Sequence, residues 1–126
     1  MTDRRRAKNA RMTRDKEALK LWRGIVVKSA GGVCEKCGSM NRLQAHHVIT
    51  RANKRLRYDS QNGVCLCAGH HLFFAHQKPH EFRDWLTEKR GNYWWDYINT
   101  ASKMYGGKQD LCAIIYSLKE ELKRWS

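Results

Sequence analysis

Nine of the eleven cysteine and histidine residues fall between positions 34 and 76, about a third of the 126-residue chain. They are Cys34, Cys37, His46, His47, Cys65, Cys67, His70, His71 and His76. Clustering of these side chains in one stretch points to metal ligation. Two pairs have knuckle spacing, Cys34-x2-Cys37 and Cys67-x2-His70. A gap of two lets one tight turn aim two ligands at one ion, and two such turns complete a tetrahedron. The expected set for one structural Zn2+ is therefore Cys34, Cys37, Cys67 and His70. Cys65 shares a strand face with Cys67 and is the alternative fourth ligand. Five cysteines, an odd number, argue against a disulfide framework. Cys112 is expected in the core.

Charge sets the second constraint. Residues 1–80 carry 17 basic and 5 acidic side chains, and residues 81–126 carry 8 and 7. The excess of +13 is thus almost wholly N-terminal. Between Lys36 and His80 the one acidic residue is Asp59. Solubility does not require half a chain to be nearly free of acids, so the asymmetry favours a nucleic-acid partner. Arg51, Lys54, Arg55 and Arg57 are the expected phosphate contacts, in a polar loop from Thr50 to Gln61. No apolar run is long enough to span a membrane, and the start of the chain has no apolar stretch for secretion, so the expected location is the cytoplasm.

The chain reads as an α+β domain. Residues 1–12 form an expected flexible basic arm. A helix is expected from Thr13, its N-cap, through Ala18, Leu21, Trp22, Ile25 and Val26 to Gly31-Gly32. Leu43–Ile49 and Gly63–Cys67 suit two strands, and Gly69–His76 a short helix. Residues 13–80 make the core, and 81–126 a helical extension of the same domain. Helices are expected around Trp85, around Ile98 and along Leu111, Ile114, Ile115, Leu118 and Leu122, with the late aromatics mostly packed. That last helix either closes the core of a monomer, the favoured case, or pairs two chains.

From Cys34 to about Trp85 the chain resembles the HNH endonucleases, a ββα-metal family, through CEKC, QAHHVITR and LRYDSQNGVCLCAGHHLFFAHQKP. Asn62 stands nine residues before His71, as the Asn and last His of that family do, and the loop ending at Asp59 looks like that of phage-type members. The sequence departs from many relatives at His70, where their second knuckle has a cysteine. The resemblance implies a ββα-metal core with a zinc knuckle. It also implies a metal-dependent DNA endonuclease, nicking duplex with low sequence specificity and leaving 5′-phosphate and 3′-hydroxyl ends. His46 and His71 are then expected to hold a catalytic divalent cation, Mg2+ or Mn2+, with His76 a third ligand, a contact to the phosphate or a surface residue. His47 is the expected general base, and Asn62 the brace of the His46-His47 segment. One ion can contact both the scissile phosphate and the leaving oxygen, and an imidazole titrates near neutral pH. Two other readings stay open: a zinc-stabilised binding module without catalysis, and a nuclease for branched DNA or RNA.

Overall fold

The computed structural model describes residues 2–125. Its elements are α1 (Asp3–Ser29), β1 (Leu43–His47), a 3-10 turn (Ser60–Asn62), β2 (Gly63–Cys67) and α2 (Ala68–His70). The last runs straight into a π-helix (His71–His76), followed by α3 (Pro79–Arg90), α4 (Asn92–Ser102) and α5 (Leu111–Lys123). The fold is α+β.

The helix α1 starts ten residues before the expected N-cap. Thr2 caps it, its hydroxyl accepting from the Arg5 amide at 3.2 Å. Thr13 lies inside the helix, its hydroxyl bonded back to the Asn9 carbonyl. Residues 3–12 are thus helical and exposed where a flexible arm was expected. The reason is intrinsic propensity: Arg, Ala, Lys and Met are strong helix formers and need no apolar period to continue a helix. Only from Ala18 does the helix bury a stripe, Ala18, Trp22, Ile25 and Val26.

Strands β1 and β2 pair antiparallel, Leu43 opposite Cys67 and His47 opposite Gly63. Burial along β2 leaves Val64, Cys65 and Leu66 without solvent contact. On one side Val64 and Leu66 join Phe82, Leu86, Trp94 and Ile98 of α3 and α4. On the other, Cys65 packs with Trp22 and Val26 of α1. Helix α1 approaches the sheet closely at Gly63, where an added Cβ would stand 2.3 Å from a Val26 methyl and 2.9 Å from the Trp22 ring. Ala18 and Ile25 meet Ile115 and Leu118 of α5 in a third cluster.

Two expectations fail at the C-terminus. Cys112 is exposed, because the buried row of α5 is Leu111, Ile115 and Leu118 and Cys112 sits one residue off it. Phe82 and Trp94 are buried, but Tyr93, Tyr97, Tyr105 and Tyr116 face solvent, their hydroxyls making that position cheap.

Candidate functional site

The knuckle forms as the spacing requires. Cys34 to Gly38 closes a turn, the Gly38 amide donating to the Cys34 carbonyl at 2.8 Å, with Gly38 at a φ of 77° that suits glycine. The Glu35 amide donates to the Cys65 carbonyl at 2.8 Å, laying the turn along β2. The Glu35 carboxylate accepts from the Cys65 amide at 2.7 Å and holds Arg90 of α3 at 3.1 Å. Sequence reading missed this anchor, since Glu35 and Arg90 are distant in the chain. At the C-terminal end of β2, Cys67 begins the turn into α2 and His70 completes it.

These two turns converge. Cys34 Sγ lies 3.8 Å from His70 Nδ1, Cys37 Sγ 3.9 Å from Cys67 Sγ, and Cys67 Sγ 3.4 Å from His70 Nδ1. An ion bound tetrahedrally at ~2.3 Å to sulfur and ~2.0 Å to nitrogen separates its ligands by about 3.8 Å (S–S) and 3.5 Å (S–N). The four atoms therefore fit a Cys3His set that could hold a structural metal ion such as zinc. Against the cost of burial, backbone hydrogen bonds from Cys67, Cys37 and Lys36 hold the Cys34 thiol down at about 6, ready to ligate as thiolate. Cys65 lies outside the set, under α1, where burial pushes its thiol up to about 11.

A second convergence involves His46, His71 and His76, one ring nitrogen of each lying within 4.8 Å of those of the other two. His46 Nδ1 and His71 Nε2 are 3.1 Å apart, as are His71 Nε2 and His76 Nε2. The π-helix makes this possible. In an α-helix residues five apart differ by about 140° around the axis, whereas the wider turn of a π-helix returns them to one side. Burial pushes His46 down to about 4, with repulsion from His71 and His76 acting in the same direction. Burial, then His76, lowers His71. Both imidazoles are thus neutral near pH 7, the form that ligates a metal.

His47 points away from this trio, as alternation along β1 requires. Its ring stacks on Trp22, centroids 3.9 Å apart and planes within 8°. His47 Nε2 lies 2.9 Å from the Arg57 carbonyl. A carbonyl only accepts, so Nε2 carries the proton and Nδ1 is the basic nitrogen. Burial lowers its pKa, opposed by the bond to Arg57. It sits in a groove of about 540 Å³ along α1, rimmed by Arg23, Arg42 and Arg51.

The loop supplying that carbonyl is tied at both ends. Asn62, with no solvent contact, accepts from the Ile49 amide at 2.7 Å through Oδ1. Its Nδ2 donates to the carbonyls of Ile49 (2.9 Å) and Leu56 (3.2 Å). It thus fastens the residues just after β1 to the loop. Arg57 is gripped from α1, Nε and Nη2 donating to the two Asp15 oxygens at 2.9 and 2.8 Å, and Tyr58 donates to the same carboxylate. The guanidinium hydrogen bond holds Asp15 below the usual carboxylate range, burial notwithstanding. Of the four cations expected to meet phosphate, Arg51, Lys54 and Arg55 are exposed, whereas Arg57 is spent on Asp15. No helix among the described residues is long and apolar enough to cross a membrane. Comparison of the chain with protein-family models, with curated proteins and with solved structures returns no match.

Proposed function

We propose that the protein is a metal-dependent endonuclease of HNH type acting on DNA, with β1, β2 and the helix from Ala68 to His76 as its ββα-metal core. The observation that carries the reading is the pairing, at adjacent positions of β1, of an imidazole in a three-nitrogen cluster with an imidazole oriented as a base. His46, His71 and His76 would hold a divalent ion, and 3.1 Å separations suit ligands at about 2.0–2.1 Å. Three imidazoles and no carboxylate favour a transition ion such as Zn2+ or Ni2+ over the Mg2+ or Mn2+ expected from the resemblance. When bound, the ion supplies charge neutralisation at the phosphate and at the departing 3′ oxygen.

The chain's own residues do the rest. A phosphodiester crossing the end of β1 meets the trio on one side and His47 on the other. The Arg57 carbonyl keeps the Nε2 proton, so His47 Nδ1 takes the proton of the attacking water. Trp22 fixes the plane of the ring and shields one face from solvent. Arg23, Arg42 and Arg51 neutralise flanking phosphates, which positions the strand without reading its bases. Asn62 and Asp15 act at one remove, by holding the carbonyl that orients the base.

Cleavage of supercoiled and linear duplex is measured with EDTA and with each ion added back. His47→Ala should lose ~10²–10⁴-fold in rate with its metal content unchanged. His71→Ala should lose the second equivalent of metal and recover partly at high ion concentration. Wild-type rates in His47→Ala would overturn the base assignment, and absence of cleavage with every ion would favour a zinc-stabilised binding module.

A further inference from the structure

The row of α1 that faces the protein body changes character along its length. From Ala18 onward it reads Ala18, Trp22, Ile25, apolar and buried. Continued backward at the same steps of three and four, it reads Asp15, Arg11, Lys8 and Arg4. Asp15 is engaged with Arg57, and the three cations beyond it are exposed. A core-facing row that turns basic where the body ends is an interaction surface without its partner.

Resting on the nucleic-acid reading above, we infer that residues Asp3–Arg14 of α1 form a rigid docking rod for the phosphate backbone of double-stranded DNA, through Arg4, Lys8 and Arg11. Charge complementarity selects the occupant. Six of these twelve residues are basic, and the one carboxylate, Asp3, stands 4.0 Å from Arg6, off the row. Like charges three and four apart repel, and this end of α1 buries nothing to offset the repulsion, so a polyanion is the partner that relieves it. A membrane surface is disfavoured: Ala7, Ala10 and Met12 are the only apolar residues of the segment and make no insertable stripe. The row also leads to the expected DNA loop, since Arg11 lines a cavity of about 290 Å³ with Arg51 and Lys54. A duplex held along the rod would therefore run on to the exposed loop cations and the His47 groove.

Two triple variants of equal charge decide the matter. Arg4→Gln/Lys8→Gln/Arg11→Gln removes the row, and Arg5→Gln/Arg6→Gln/Lys16→Gln removes cations from the other side of the same helix. Binding of each full-length protein to an unrelated duplex is followed from roughly 50 to 200 mM salt without added metal. Circular dichroism verifies that helicity is retained. Each lost phosphate contact flattens the logarithmic salt slope by about 0.9, so the row variant should lose about forty-fold of the salt-driven rise in Kd. The opposite-side variant should stay close to wild type. Equal effects of the two variants, no effect of either, or row-dependent binding to phosphatidylserine vesicles in place of DNA would overturn the rod. Because cleavage is not scored, failure of the nuclease reading leaves this outcome untouched.

Discussion

Replacing Asn62 by alanine removes three hydrogen bonds from a side chain with no solvent contact. Their loss is unequal. The Leu56 carbonyl keeps the Asp59 amide as a partner at 3.2 Å, so it is not orphaned. The Ile49 amide and carbonyl lose the groups that satisfy them at 2.7 and 2.9 Å. An unsatisfied buried polar group costs about 1–3 kcal/mol, which puts Asn62→Ala near 3 kcal/mol, a large share of a typical ~5–15 kcal/mol domain stability. Asn62→Asp keeps the acceptor for the Ile49 amide but sets a carboxylate against two carbonyls, so near neutral pH it should be worse than alanine. Its folded pKa would be raised by burial, so its stability should be best below the unfolded carboxylate pKa and fall as pH rises. Urea unfolding at fixed zinc concentration measures both variants through the midpoint at unchanged m. A loss below 1 kcal/mol in Asn62→Ala would refute the account of the loop.

Two other perturbations are equally direct. Asp15→Asn should destabilise by about 1–2 kcal/mol near neutral pH, a range discounted for partial exposure of the ion pair. Because Arg57 lowers the Asp15 pKa, the wild-type advantage should persist down to the ordinary value of 3.8 and vanish as pH falls further through the lowered one. Thermal melts from pH 7 to pH 2 follow it, and an advantage undiminished at pH 2 would contradict the ion pair. Cys37→Ser should lose one zinc equivalent and much of its stability, while Cys65→Ser, outside the Cys3His set, should keep its zinc. Metal content by emission spectroscopy separates them, and the reverse pattern would restore Cys65 as the ligand.

What the sequence discloses follows from how local each determinant is. The knuckle pairs are local: spacing alone names Cys34, Cys37, Cys67 and His70, and the fold brings the two turns together. Strand β2 is read from a run of five residues and found at the same bounds. The start of α1 is hidden, because residues 3–14 carry helix propensity without periodicity. The commitment of Arg57 to Asp15 is hidden too, since 42 residues separate the partners and a basic loop looks uniformly available to phosphate. The sequence leaves His76 open between ligand, phosphate contact and surface residue, because a gap of five does not fit an ordinary helix.

That gap has a consequence for chain length. A wide turn aligns side chains five apart, while an ordinary turn aligns those four apart. Dropping one residue between His71 and His76 and tightening the backbone would leave both imidazoles on the same side. The exposed Leu72 and Phe73 occupy this stretch, so the change would fall on side chains already facing solvent. The imidazole pair is thereby buffered against a one-residue change in length, a tolerance that the tight Cys34–Cys37 turn, with no slack in its backbone, does not share.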